Sequence, residues 1–233
     1  MTQQPDVVCL QETKLEDKNF PEQAILSAGY QVVYSGQKAY NGVAILSRLP
    51  MEDILVGMPE WEDTHQRVIA ATVGDIRIVC VYVPNGQSVG SEKYAYKLAW
   101  LKALNHYLAQ AMLRYPKLAV LGDYNIAPAD EDVYDPVAWG EGVLVSAAER
   151  DAFNNLLALG LVDSFRLFTQ ETAAFTWWDY RMAAFRRNMG ARIDHILVTA
   201  NLAAVCNSCE VDKAPRRLER PTDHAPVITT LNL

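Results

Sequence analysis

The sequence predicts a mixed α/β fold in which two packed, mostly mixed sheets carry helices on the outside. Three observations support this. Short strand-like runs far outnumber stretches of helical periodicity; Gly and Pro are scattered singly at turns; and no fixed-period repeat or polar linker divides the 233 residues. A long parallel alternation would need nearly as many helices as strands, so packed sheets are the better layer arrangement.

The strand-like runs, in order, are Val7–Gln11, Gln31–Ser35, Val43–Ser47, Val68–Val73, Ile76–Val83, Lys117–Leu121, Ile193–Val198, Val205–Val211 and Ala225–Leu231. Many are bounded by Gly, Pro, Asn or Asp, as strands usually are. The Gly74-Asp75 pair between two of them predicts a two-residue hairpin turn and antiparallel pairing. From Ser91 to Arg114, the residues Tyr94, Leu98, Leu101, Leu104, Leu108 and Met112 recur every three or four positions. That spacing predicts an amphipathic helix lying on a sheet. Shorter patterns over Phe20–Ala28 and Ala147–Leu159 predict two more helices, stopped by Gly29 and Gly160. Cys9 and Cys80 lie in apolar runs and read as small buried hydrophobes. Cys206 and Cys209 read as packing, because a zinc site wants a second pair or matching histidines and a redox CxxC should open a helix.

A composition of 50% hydrophobic and 21% charged residues is that of an ordinary globular chain, which excludes disorder and coiled coil. The longest apolar runs, Ile76–Val83 and Leu118–Leu121, fall well short of the roughly 20 residues that span a bilayer. No membrane partner is expected. The start, Met-Thr-Gln-Gln-Pro-Asp, has neither the basic nor the apolar region of a signal peptide, so a reducing cytoplasm and free thiols are expected. A net charge of −7 argues against coating nucleic acid by bulk charge. It leaves room for an enzyme on DNA that uses a local basic surface or a metal ion at the phosphate. Two arginine clusters are either such surfaces or ordinary solvated faces: Arg181, Arg186, Arg187 and Arg192, then Arg216, Arg217 and Arg220.

Small polar groups of residues sit at strand ends, where function is usually carried. Glu12, in Leu10-Gln11-Glu12-Thr13-Lys14, is a carboxylate closing an apolar strand; alone it would read as a surface glutamate. Tyr82 precedes a turn whose Asn85 can place an amide in a cleft, although Tyr82 alone reads as core. In Leu121-Gly122-Asp123-Tyr124-Asn125-Ile126, alternation along an extended chain puts Asp123 and Asn125 on one side, and Gly122 permits a close backbone approach. An acid and an amide there suit a metal, or a water and a phosphate oxygen; the bland alternative is an Asx turn. In Phe175-Thr176-Trp177-Trp178-Asp179-Tyr180-Arg181, one Trp is core and its neighbour faces the other way, where aromatic faces beside Arg suit stacking on bases or sugars. Arg192-Ile193-Asp194-His195 opens a strand with an acid, and Arg220-Pro221-Thr222-Asp223-His224 sets Asp beside His. A carboxylate that holds a histidine cationic makes it a strong phosphate partner; Asp194 is placed to do this for His224, leaving Asp223 for metal. His195, His65 and His106 read as structural. The Asp130-Glu131-Asp132 run reads as a solvated loop.

The order of these blocks is more telling than any one of them. PDVVCLQETK, GVAILSR, VYVPNG, LGDYNI, FTWWDYR, RIDHILV and RPTDHAP follow one another from about Pro5 to the C-terminus. In this the sequence resembles the exonuclease III family of apurinic/apyrimidinic endonucleases, within the endonuclease/exonuclease/phosphatase superfamily. The resemblance implies a four-layer α-β-β-α sandwich over residues 1–233, acting as a single domain, with Mg²⁺, or Mn²⁺ in its place, at the sheet edges. It implies Glu12 as principal metal ligand with Asp223, Asp123 and Asn125 close by. Asp123 would orient or deprotonate the attacking water, and Asn125 would hold the phosphate. Tyr82 and Asn85 would contact phosphate, and Asp194 with His224 would bind the scissile phosphate. Trp177 would form the wall against the abasic sugar, and Tyr40 would touch the DNA backbone.

The function implied is a Mg²⁺-dependent DNA-repair nuclease, monomeric, acting on double-stranded DNA with abasic sites or blocked 3′ ends. It would combine incision at abasic sites, 3′-end trimming and 3′→5′ exonuclease action. The family normally begins with one more strand, carrying an Asn, and a helix; this chain is expected to be shortened there. If that strand is absent in the cell, a catalytically impaired DNA-binding remnant follows. A phosphodiesterase acting on phosphoinositides or RNA is a weaker alternative, since WWDYR and RPTDHAP resemble the DNA-repair branch.

Overall fold

The computed structural model describes residues 3–233; Met1 and Thr2, where the expectations about the chain start begin, lie outside the described residues. The chain divides into two compact units, one comprising the chain up to Tyr82 together with Tyr107–Asp123, the other Val83–His106 with Tyr124–Leu233.

The first unit carries β1 (Val7–Gln11), α1 (Glu22–Ser27), β2 (Gln31–Ser35), β3 (Val43–Ser47), β4 (Met51–Val56), β5 (Val68–Val73), β6 (Ile76–Tyr82) and, later in the chain, β7 (Leu118–Asp123). β1, β3 and β2 form an antiparallel sheet in that order. β4, β5 and β6 are antiparallel neighbours, and β6 pairs in parallel with β7. β3 packs on β5 and β6, and β1 on β6 and β7, so the two sheets lie face to face. All seven residues of β6 are buried. A strand covered on both faces reads as a continuous apolar run, which is why it was legible. The helix α2 (Glu92–Arg114) contributes its residues up to His106 to the second unit and the rest to the first.

The second unit adds α3 (Pro136–Trp139), α4 (Ala147–Leu157), β8 (Leu161–Asp163), β9 (Asp194–Thr199), α5 (Ala200–Ala203), β10 (Cys206–Val211) and β11 (Val227–Leu231). β8 pairs with β9 and β10 with β11, both antiparallel. A short 3-10 turn, Ser164–Leu167, packs between β9 and β10, while α4 lies on β8. The expected class, mixed α/β with packed sheets and helices, is what the chain adopts.

Nearly every expected strand begins and ends within two residues of its expected bounds, and Val73 pairs with Ile76 across the Gly74-Asp75 turn. β4 and β8 were not foreseen. β4 is largely exposed, carries Glu52 and Asp53, and shifts register between Glu52 and Leu55. Charge and a bulge are how edge strands avoid pairing with other chains, and they also erase the alternation that would reveal the strand. All four cysteines are free thiols. Cys209, buried on β10, faces the hydroxyls of Ser164 and Thr229 at 3.4 and 3.2 Å.

Gly122 of β7 lies opposite Val81 of β6. With φ +149°, a Cβ there would stand 1.9 Å from the Val81 carbonyl oxygen of the neighbouring strand. Gly122→Ala should therefore lower the unfolding free energy by about 2–4 kcal/mol, through strain at a special backbone position. At Gly29, also left-handed but with nothing within 4 Å, Ala should cost only about 1 kcal/mol. Equal losses in urea denaturation would show that the strand contact does not decide the difference.

Candidate active site

In the first unit, β1 ends at Gln11 and the next residue, Glu12, turns into the left-handed region at φ +53°, as does Lys14 at +55°. The turn is held by backbone bonds from Thr13 N to Gly42 O, 3.3 Å, and from Lys14 N to Asn41 O, 2.9 Å. One Glu12 oxygen accepts the Tyr82 hydroxyl from the end of β6, and the other lies 2.7 Å from Lys14 Nζ. Arg67 lies 4.7 Å over the Tyr82 ring and donates to its carbonyl at 3.1 Å. Burial pushes the Tyr82 phenol well above its ordinary pKa, and the hydrogen bond to Glu12 and the charges of Glu12 and Asp123 push the same way. Tyr82 is thus a protonated donor across the working pH range. Asp123, buried, ends β7. Tyr40, 73% exposed, stands between left-handed Ala39 and Asn41.

Glu12 and Asp123 are hard oxygen donors, and Glu12 already takes a cationic partner. Mg²⁺ uses one or two carboxylates and keeps waters for itself and the substrate phosphate, so this donor set suits it. Among the described residues, no group of three or more His, Cys, Asp or Glu is placed to hold a metal ion.

In the second unit, Asn85 Nδ2 donates to Asn125 Oδ1 at 2.9 Å, and Asn125 Nδ2 donates to Val83 O at 3.1 Å. The expected alternation does not reach Asn125: β7 stops at Asp123 and Asn125 is left-handed at φ +49°. Asn85 and Val83 aim this amide instead. Asp194 opens β9, where Thr176 Oγ1 accepts the N–H groups of Ile193 and Asp194 at 3.0 and 3.1 Å. Its carboxylate oxygens lie 2.9 and 3.1 Å from His224 Nδ1. Trp178 is fully buried with Phe175, Ala184 and Ala225, while half-buried Trp177 packs against the separate cluster that includes Ala127 and Val133. The opposed facing of the two indoles was expected. Trp177 Nε1 donates to Asp223 Oδ2 at 3.0 Å.

Further expectations are corrected for Arg192 and Arg216, which are buried rather than part of a basic surface, and for Asp132. Asp132 is buried rather than solvated, because Arg192 Nε and Arg166 reach its carboxylate at 2.6 and 2.7 Å. Burial opposes its ionisation, yet Arg192 and Arg166 hold its pKa below the usual carboxylate value. Arg192 also reaches Asp163 at 2.8 Å and His195 Nδ1 at 3.0 Å, and His195 Nε2 lies 2.8 Å from Ile126 O. The structural role expected for His195 fits this network. Arg192, which was expected on a basic surface, Thr176 and the buried pair Lys97 and Glu149 support the polar residues, and the last three had no role assigned from sequence. Lys97 had a signal: it falls on the apolar stripe of α2, three residues after Tyr94 and four before Leu101.

Comparisons with known proteins identify the family of the chain. The family model described as the endonuclease/exonuclease/phosphatase family matches residues 2–224. The chain belongs to that family and is a hydrolase of phosphodiester bonds. It is 35% identical to exodeoxyribonuclease III of Haemophilus influenzae, over 96% of this chain and 89% of that protein. A Neisseria 3′ phosphatase, NExo, solved with a product DNA hairpin, superposes with a TM-score of 0.97 at 48% identity, covering 98% of this chain and 90% of that one. An AP endonuclease from Archaeoglobus fulgidus gives 0.94 at 38% identity, with the same coverage. These relatives place the chain among DNA-repair nucleases. Among the described residues, no helix is long and apolar enough to cross a membrane.

His195 carries a pH prediction. Burial, with the Arg192 charge second, lowers its pKa from 6.5 to about 4, so the folded protein keeps it neutral. The unfolded chain takes up that proton first, so stability should fall as pH drops from about 6.5 towards 4. Urea denaturation across that range should show the fall in the parent and a flatter profile in His195→Gln. Parallel profiles would mean that His195 is not held neutral.

Proposed function

We propose that the chain is a Mg²⁺-dependent DNA-repair phosphodiesterase, with Mn²⁺ as a substitute ion. It would act as a monomer in the cytoplasm on duplex DNA with abasic sites or blocked 3′ ends, combining abasic-site incision, 3′-end trimming and 3′→5′ exonuclease action. The observation that carries this is the Asp194–His224 contact at 2.9 Å, a carboxylate-held imidazole that joins the RIDHILV block to RPTDHAP, one of the two blocks that resemble the DNA-repair branch. The names of the relatives, an exodeoxyribonuclease, a 3′ phosphatase and an AP endonuclease, support it.

In this reading Asp123 takes the proton of the attacking water, the role of a positioned general base. Asn125 and Asn85 present amide N–H groups to the phosphate. Asp194 orients the His224 ring through Nδ1, and the imidazolium form of that ring would donate to a non-bridging oxygen as charge builds there. Tyr82, kept as a phenol, gives its one O–H to Glu12 here and would donate to the phosphate only on leaving that acceptor. Mg²⁺ held by Glu12, with Asp123, Asn125 and Asp223 as further ligands, would supply positive charge to the phosphoryl and leaving oxygens. Trp177 would pack against the abasic sugar, and exposed Tyr40 would contact the DNA backbone.

Cleavage of abasic duplex DNA and release of 3′ phosphate should proceed in Mg²⁺ and stop in EDTA; undiminished turnover in chelator would remove the ion from the reaction. Asp123→Asn should lower kcat by about 10²–10⁴ with the unfolding midpoint unchanged, as removal of a general base does. Asp194→Asn and His224→Asn, which disable one unit, should together slow the reaction no more than either alone. A double variant whose loss equals the two single losses multiplied would break the pairing.

A further inference from the structure

We propose that Lys97, in α2, is a positioning residue that sets the two amides of Asn85 and Asn125 for the reaction; this rests on the function proposed above. Lys97 is completely buried, as is Glu149. Its ammonium lies 2.6 Å from Asn125 O and 3.2 Å from Asn85 O, and its third contact is the Glu149 carboxylate. A lysine ammonium has three N–H donors, enough to serve these three acceptors.

Burying an ammonium is expensive, and an apolar side chain of similar volume is often as stable or more so. The neighbouring stripe residues Tyr94 and Leu101 are buried hydrophobes, so packing alone would be met by a leucine at position 97. What a leucine would not do is satisfy two carbonyls in loops that follow strands. Asn125, left-handed at φ +49°, lies beyond the end of β7, and a buried carbonyl needs a donor. Because one ammonium holds both carbonyls, it fixes the two main chains at the spacing where Asn85 Nδ2 meets Asn125 Oδ1 at 2.9 Å. The acid opposite is itself fixed. Glu149 accepts the N–H groups of Leu144 and Ser146 at 3.1 and 3.2 Å and the Ser146 hydroxyl at 2.5 Å. Tyr94 OH closes this chain on Ser146 Oγ at 2.6 Å. The start of α4 thus holds Glu149, Glu149 holds Lys97, and Lys97 holds the two loops.

The test is Lys97→Met combined with Glu149→Gln, which removes both charges together. Lys97→Arg is made in parallel, because it keeps the charge but carries it on a longer planar group that cannot cap the same two carbonyls. Each variant confirmed folded by circular dichroism is assayed on the abasic or 3′-phosphorylated duplex that the parent turns over faster. A displaced amide should lower kcat by roughly 10- to 100-fold while KM moves less than about threefold. Asn125→Ala added to the same variant should bring little further loss, since both changes act on one amide. Unchanged kcat, or losses that multiply, would overturn the proposal; so would failure of both variants to fold, which would assign the pair to stability alone. If Asn125→Ala leaves the parent unaffected, the functional reading fails instead. The side-chain amide cross-peaks of Asn85 and Asn125 in ¹⁵N spectra then judge positioning by itself: shifts in the Lys97 variants support it, and unmoved peaks refute it.

Discussion

Much of the second unit depends on where one positive charge is buried. Arg192, 1% exposed, lies between the carboxylates of Asp132 and Asp163 and stacks 4.8 Å over the Phe165 ring. Its backbone N–H also reaches Asp132 O. Removing one member of such a set strands the others in a medium that cannot solvate them, at about 3–5 kcal/mol. The 130–132 turn, the end of β8 and the start of β9 are therefore tied to one another. Asp194 comes two residues later, and Thr176 caps its N–H, so the carboxylate that holds His224 leaves a backbone with little freedom. His195 extends the same set to Ile126 O, beside Asn125.

This network explains which parts of the molecule could be read from sequence. β1, β2, β3 and β5 have the bounds their apolar runs suggest; in β3 and β5, which are almost wholly buried, burial imposes the pattern that reveals them. β4 did not show itself because an edge strand is under the opposite pressure, and its Glu52 and Asp53 read as loop. The Asp130-Glu131-Asp132 run misled for a different reason. Three adjacent acids look solvated until their counter-ion is known, and Arg192 is 60 residues away. Sequence periodicity carries no information about such a pairing.

The polar residues divide along the same line. Glu12, Asp123, Asp194 and His224 could be picked out because each stands in a short block at a strand end. Trp177 with Asp223, Asn85 with Asn125 and Lys97 with Glu149 are contacts between segments 46, 40 and 52 residues apart. They depend on the fold being formed. The supporting layer is also made of residue types, Lys on a helix and Thr in a loop, whose usual place is the surface, so composition hides them.

Several of these side chains stand on backbone that ordinary residues avoid. Glu12 and Asn125 both have φ near +50°, a region that costs L-residues roughly 1–2 kcal/mol each. Glycine would remove that cost, and with it the carboxylate or the amide. The turns persist because other bonds over-determine them: Gly42 O and Asn41 O accept from the turn after Glu12, and Lys97 and Val83 hold Asn125 from two sides. A left-handed residue at the end of a strand turns its side chain away from the pleat, where the next strand residue would have been buried. The strain is thus coupled to presentation: each polar group leaves the sheet at a fixed angle, and the bonds that enforce the angle also limit how far it can relax. Loosening those bonds should therefore affect the aim of the group before it affects the fold.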